Sequence, residues 1–384
     1  MRAKKIILTL IILVILFELG FVAFQKLKPQ EGPLEGIPTA APTELTEAPT
    51  AAPTEEPTEP PTEPPTEAPT EPPQSSFLLT FAGDCTLGSY PDKWLAASSF
   101  IQTIGEDYTY PFANVAEFFA GDDFTIINLE SVLADEGKAA SKRFAFRGPV
   151  AYTEIMTSSS VEAVTLANNH TEDYGTEGYA STKTALEDAK ITYVEEDKTA
   201  VYTTEGGLTI GLYADAFNFS TKDIQNNIAS LKDQGVDVIV CAFHWGSEGK
   251  YRASGDQQTF AHAAIDAGAH IVYGHHPHVL QPIEEYNGGV IMYSLGNFSF
   301  GGSVFPQDYD TAVVQQEVIR DPETGEVSLG QLTIMPCSIS SMNGQNNFQP
   351  TPLEPGDMYD RVLSKLDGSF DGPNLNVDYS KLDN

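Results

Sequence analysis

The chain has 384 residues, 41% of them hydrophobic, and a formal charge of −33, enough for one large core or two small ones once atypical segments are set aside. Before Phe77, eleven glutamates face five basic residues, so −27 of that charge lies from Phe77 onward. Such an acidic surface repels polyanions at long range and excludes a nucleic-acid partner, and an anionic substrate then needs a local cationic patch or a bound metal.

The N-terminal stretch reads as a membrane signal. Arg2, Lys4 and Lys5 precede an apolar run from Ile6 to Phe24, and Lys26 and Lys28 follow it. Those 19 residues, at about 1.5 Å each, give about 28 Å, which matches the hydrocarbon thickness and exceeds an ordinary signal-peptide core. Val22-Ala23-Phe24 offers no small-x-small cleavage site, so residues 1–28 are expected to form an uncleaved single-pass anchor in the cell membrane, with a cleaved signal peptide as the alternative. The charges favour a cytoplasmic N-terminus and an extracytoplasmic remainder, and Glu18 lies where it can reach the interface. Residues 29–76 are rich in Pro-Thr-Glu repeats such as Pro57-Thr58-Glu59-Pro60. They carry too little apolar surface to offset the entropy of ordering, which predicts a disordered linker reaching on the order of 150 Å at about 3.1 Å per residue. A solvating or O-glycosylated stalk is compatible with the same composition.

From Phe77 the pattern changes to alternating strands and helices. Strands are predicted over Phe77–Ala82, Phe124–Leu129, Ala163–Leu166, Leu208–Ala214, Val236–Phe243, His270–Tyr273 and Val290–Ser294, and helices over Gly178–Lys190, Lys222–Gln234 and Gln257–Ala267. This order is an α/β alternation, expected to span 77–350. Residues 351–384, rich in Pro, Gly and Asp, are expected as a tail lying loosely on the surface. Three cysteines, Cys85, Cys241 and Cys337, allow at most one bridge, which is no disulfide scaffold.

Several predicted strands end in a potential metal ligand, and strand carboxyl ends in open α/β sheets converge on one crevice. Asp84 follows the first strand in Phe81-Ala-Gly-Asp, and Glu130 ends Ile127-Asn-Leu-Glu; alone, each also fits a turn or a solvated acid. Leu166-Ala-Asn-Asn-His170-Thr-Glu-Asp173 sets the amide of Asn169 beside His170, suited to hold a hard cation and to donate a proton, although Asn168 or Asp173 also fits a helix cap. His244 ends the most apolar strand. In Gly274-His-His-Pro-His278, Pro277 disfavours a helix, and in extended chain His276 and His278 share a face and can serve one metal. Tyr293-Ser-Leu-Gly-Asn297 reads as strand, turn and polar tip at the pocket.

In this order Gly83-Asp84, Asn128-Leu-Glu130, Ala167-Asn-Asn-His170, His244-Trp-Gly246, Gly274-His-His-Pro-His278 and Tyr293-Ser-Leu-Gly-Asn-Phe298 resemble the CapA/PgsA family of poly-gamma-glutamate capsule biosynthesis proteins, a branch of the calcineurin-like metallophosphoesterases. The resemblance spans about Phe77 to Phe300. It implies a four-layer sandwich of two mixed β-sheets flanked by helices and two divalent ions, Mn, Zn or Fe. Glu130 would bridge them; Asn169, His244 and His276 would complete one, and Asp84 and His278 would hold the other. His170, with Asp84, would serve catalysis. The superfamily's Asp-x-His has Thr86 at its third position here, which implies a weakened first site. For substrate contact the candidates are Lys142, Arg143, Arg147, Lys250 and Arg252, the scarce clustered cations, together with Asn297 and His275.

The function expected from all this is support of poly-gamma-glutamate or related surface-polymer synthesis or export, through a metal-dependent hydrolase-like site acting on an anionic polymer or phosphoester beside polymer-synthase subunits. A surface phosphoesterase unrelated to capsule, and a noncatalytic scaffold, are the alternatives.

Overall fold

The computed structural model describes residues 75–377. The expected anchor, and the linker up to residue 74, lie outside them; among the described residues no helix is long and apolar enough to cross a membrane.

Two mixed sheets stack face to face. In the larger, of eight strands, Ser76–Thr86 runs parallel to Phe124–Leu129 on one side and antiparallel to Asp310–Arg320 on the other. In the smaller, of six, Thr209–Ala216, Val238–His244, Ile271–His275 and Gly289–Leu295 are parallel neighbours, with antiparallel edges at Lys198–Thr203 and Leu280–Tyr286. Side chains alternate faces along a strand, and the cores follow. Phe77, Leu79 and Phe81 of one sheet meet Ile210, Leu212, Val238 and Val240 of the other between the layers. Ile239, Cys241 and Phe243 point the opposite way, onto Ile224, Ile228 and Leu231 of the helix Thr221–Asp233 and Ala261, Ala264 and Ile265 of the helix Gly255–Ala267. The outer face of the larger sheet is covered by Phe100, Phe112, Phe119, Ile155, Met156 and Leu186, drawn from short helical segments and the helix Gly175–Asp188. Four layers, α/β/β/α, result.

Local chemistry sets the helix ends. Ser254 and Gln257 form a reciprocal capping box that starts Gly255–Ala267, and Gly268, at φ 112°, closes it in the left-handed region. The three cysteines are buried and free.

The tail differs from expectation. Asp357–Leu366 is a helix that sends Val362 and Leu366 into the inter-sheet core. The Lys365 ammonium, buried, lies 2.6 Å from Asp308 and 2.7 Å from Asp310, which Arg361 also holds at 2.6 Å. Two apolar residues a turn apart and a buried ion cluster anchor a segment whose composition is otherwise polar.

Candidate metal centre

Strand alternation delivers the site. On Phe124–Leu129, Phe124 and Ile126 face the inter-sheet core while Ile127 and Leu129 face outward; the same parity carries Asn128 and then Glu130 inward at the strand end. Val238, Val240 and Ala242 lead to His244, and Ile271 and Tyr273 lead to His275.

The first strand needs a correction of phase. Phe77, Leu79 and Phe81 face inward and Ala82 outward, so strict alternation would turn Asp84 out. A register shift between Phe81 and Asp84 adds one residue against the neighbouring strand, and such a bulge re-aims the side chain that follows it. Gly83 sits there, where a Cβ would lie 2.1 Å from the Gly296 carbonyl oxygen, so only glycine permits that approach. Asp84 therefore lies within a strand running to Thr86, not just after one.

Four segments meet around Glu130. His244 Nε2 is 2.8 Å from the Asn169 amide oxygen and 3.6 Å from Glu130 Oε1, and His278 Nε2 is 3.8 Å from the same oxygen. One ligand atom each of Glu130, His276 and His278 lies within 4.8 Å of the others, and the rings of His244 and His276 are 4.8 Å apart. His276 and His278 converge, but not as extended chain: their φ values are 92° and 54°. Left-handed backbone at two non-glycine residues in one turn is costly and clusters at functional sites.

Asp84 is fully buried and engaged by protein donors. Oδ1 meets His275 Nδ1 at 2.8 Å and accepts from Asn128 Nδ2 at 2.9 Å; Oδ2 accepts from the His276 N–H at 3.3 Å and lies 3.3 Å from His278 Nδ1. The Asn297 amide oxygen, 3.0 Å from that nitrogen, joins Asp84 in favouring a proton on Nδ1, which leaves Nε2 as the ligand atom of His278. Asn128 and Asn168 continue the network, since Asn168 Nδ2 donates to the Asn128 amide oxygen at 3.0 Å. Sequence reasoning missed Asn128, although its place two residues before Glu130 assigns it the same face.

The electrostatics call for a cation. Both carboxylate oxygens of Glu130, 1% exposed, and Nδ1 of His244 and His276 have no hydrogen-bond partner among the described residues. Burial pushes the Glu130 carboxyl well above its ordinary range, with Asp84 and Glu248 adding to the rise and His278 opposing it. Burial and then the neighbouring His276 hold His244 well below the usual imidazole value, and burial with His278 brings His276 down to about 3. Burial disfavours charge on His278 too, yet Glu130 and Asp84 outweigh it and raise the group to about 10, while hydrogen bonds from His275 and His278 outweigh burial and hold Asp84 low. Neutral imidazoles, an amide oxygen and an unsatisfied carboxylate are the donor set of a divalent transition metal, and a bound cation would displace the His278 Nε2 proton. The residues fit the ion; Thr86, buried with an unpartnered hydroxyl, adds no imidazole.

A cleft of about 490 Å³ opens over the cluster, with Thr86, Glu130, His170, His278 and Asn297 in its lining. His170 Nδ1 is 2.7 Å from Asp173, its N–H donates to Asn168 Oδ1 at 3.0 Å, and its ring packs 4.7 Å from Phe146. Asp173 fixes the Nδ1 proton and leaves Nε2 for exchange; burial lowers the group's pKa, against the pull of Asp173.

Most of the expected substrate contacts lie elsewhere. Lys142 is paired with Asp173 and donates to the Asn169 carbonyl at 2.8 Å, so it braces His170 from outside the cleft lining. Arg147 is held between the rings of Trp94, at 4.5 Å, and Tyr174, at 5.0 Å. His275 is 1% exposed, with its ring edge-on to Tyr273 beneath Asp84. Arg143 stacks on Phe144, and Arg252 donates to the Gly368 and Phe370 carbonyls. Neither Lys250 nor Arg252 lines the cleft. Asn297 lines it while bracing His278.

The family described as bacterial capsule synthesis protein PGA_cap matches residues 78–302, the stretch that carries every one of these groups. The capsule biosynthesis protein CapA of Bacillus anthracis is 30% identical over 285 residues, 67% of either chain. The PGA biosynthesis protein CapA of Bacillus subtilis (strain 168) is 29% identical over 299 residues, covering 72% of this chain and 70% of that one. Among solved structures, a phosphatase of Mycoplasma pneumoniae aligns over 68% of this chain and 93% of its own, at 11% identity and a TM-score of 0.42.

Proposed function

We propose, from the premise that this chain belongs to the PGA_cap family of bacterial capsule synthesis proteins, that it supports poly-gamma-glutamate or related surface-polymer synthesis or export as a membrane-anchored extracytoplasmic protein with a metal-dependent phosphoesterase-like site. The observation that carries the catalytic part is the buried Glu130 carboxylate, without a hydrogen-bond partner among the described residues and ringed by Asn169, His244, His276 and His278.

When bound there, a divalent ion supplies Lewis acidity toward a phosphoryl oxygen and a water of lowered pKa. The chain's own residues do the rest. Glu130, Asn169, His244, His276 and His278 Nε2 would hold the ion, and Asp84 and Asn297 keep the His278 ring in place. In its imidazolium form, which Asp173 favours against burial, His170 at the cleft lining gives its Nε2 proton to the leaving oxygen and is left neutral. Asp84 acts through His275 and His278. The polymer connection draws on the Bacillus relatives, and the anchor on the apolar run Ile6–Phe24. A noncatalytic reading draws on Thr86, where the resemblance implies an imidazole.

The test is metal analysis and turnover of the full chain. The wild type is expected to bind Mn or Zn and hydrolyse a phosphoester, and His276→Ala to lose both while keeping its circular dichroism. A metal-loaded wild type inert toward monoesters and diesters would overturn the catalytic reading.

A further inference from the structure

The cleft beside the metal centre is built for something other than a polyanion. One stretch of its wall is apolar and aromatic, with Phe144, Phe146, Phe300, Val304, Phe305 and Leu375, and hydroxyls such as those of Ser99 and Ser303 stand beside it. Two large aromatic side chains stay in water around the cluster: Phe305, 68% exposed, in the cleft wall, and Phe217, 46% exposed, whose ring stands edge-on to His244 at 5.4 Å and His276 at 4.9 Å. Phe305 joins Phe300 and Val304 in one contiguous apolar stretch of the lining, the kind of patch that marks a ligand surface.

The charges point the same way. Among the described residues Lys93 is the one lysine or arginine in the lining, against Glu130, Glu248 and Asp308. Asp308 is balanced by Lys365; of the other clustered cations, Lys142 is paired with Asp173 and Arg147 lies between two rings, and neither lines the cleft. A run of carboxylates laid along this wall would meet one lysine and lose its hydration to phenyl rings, which is unfavourable for each charge. A single anionic group at the metal centre, followed by an uncharged body along the Phe300 to Phe305 stretch, meets complementary surface at both ends. The cavity, about 490 Å³, lies in the range that encloses a small molecule.

We propose that the site takes a phosphate ester with a hydrophobic, uncharged body: the phosphate lies at the Glu130, His276 and His278 cluster and the body along the Phe300 to Phe305 wall. This rests on the metallophosphoesterase reading above and names its substrate class. Phe305 is then a specificity-determining residue, and the glutamate polymer is not bound along this cleft.

The experiment uses the full chain in lipid nanodiscs, loaded with Mn, and calorimetric titration with three probes: inorganic phosphate, 1-naphthyl phosphate and a γ-linked glutamate pentamer. Naphthyl phosphate is expected to bind at least roughly 30-fold tighter than phosphate, because ring burial adds to the anion contact. Phe305→Ser, at an exposed position that the fold tolerates, is expected to cut that advantage at least about fivefold and to leave the phosphate affinity unchanged. Equal affinity for phosphate and naphthyl phosphate would overturn the proposal while the metal reading stands. A pentamer that binds more tightly than naphthyl phosphate would overturn it in favour of the polyanion. Failure of the loaded protein to bind any phosphate would overturn the metal reading and the proposal together.

Discussion

Replacing Glu130 by glutamine should stabilise the metal-free protein and abolish its response to metal, a pair of opposite signs that an ordinary buried residue does not produce. The carboxylate is 1% exposed, both oxygens lack hydrogen-bond partners among the described residues, and a compensating charge, on His278, is 3.8 Å away. At an effective dielectric near 20 that attraction amounts to about 4 kcal/mol. His278 shares it with Asp84, and desolvating the carboxylate costs several kcal/mol. Burial wins, and the Glu130 carboxyl is raised. A carboxyl raised by folding takes up protons in the native state between its unfolded and folded values, so stability falls as pH climbs through that window. Each pH unit of that window costs about 1 kcal/mol, so the penalty grows as pH rises above the ordinary carboxylate range. Glutamine, which carries no charge, avoids that penalty and should raise stability by about 1–3 kcal/mol, or roughly 2–10 °C in Tm. The gain should be near zero below about pH 4 and largest at neutral pH. With metal at about 100 times Kd the wild type should gain about 2.7 kcal/mol, and Glu130→Gln far less. Thermal melts at pH 4 and 7, in chelator and in Mn, measure all four quantities. A lower Tm for Glu130→Gln in chelator at neutral pH, or a wild-type metal shift in that variant, would refute the reasoning.

The other predictions separate the roles of the surrounding residues. Asp84→Asn should weaken metal binding by about 10–100-fold in calorimetry, the range for a residue that orients a ligand; a loss matching that of His276→Ala would make Asp84 a direct ligand. His170→Asn should lower kcat by about 10²–10⁴-fold at unchanged metal content, and an unaltered kcat would remove His170 as the proton donor. Lys365→Met, which strips the buried partner from Asp308 and Asp310, should cost about 3–5 kcal/mol in urea denaturation, and a loss under about 1 kcal/mol would mean that the C-terminal helix is held by Val362 and Leu366 alone. In that cluster burial raises Asp310, but Arg361 and Lys365 outweigh it and hold the carboxyl low. Its contribution should be complete above the ordinary carboxylate range and fade as pH falls through the depressed folded value, a loss that Asp310→Asn should remove from the wild type's acid-unfolding profile.

The parts of this protein written in local order were legible in its sequence. Short apolar runs marked the strands, and the prediction of Phe124–Leu129 coincides with the observed strand. The ligand candidates at strand ends stand together because parity carries Glu130 and His244 to the face on which Ile126 and Ala242 are buried. The long hairpin Asp310–Arg320 with Val327–Ser338 went unseen: its polar residues, such as Gln315 and Gln316, blur the pattern, and pairing to the first strand supplies what local sequence does not.

Three matters lay beyond any local reading. The bulge at Gly83 reverses the phase that would have turned Asp84 outward, and the backbone of Leu295 and Gly296, more than two hundred residues away in sequence, passes against it. His276 and His278 share a centre through left-handed backbone that the sequence disguises as extended chain. His275, a plausible substrate contact by position, is instead bonded to Asp84, 191 residues away, while Lys142 and Arg147 are taken by Asp173 and by two rings. Periodicity is set by the geometry of one strand and can be read residue by residue. Which charges remain free to meet a ligand depends on every partner that folding brings to them, and those partners come from distant parts of the chain.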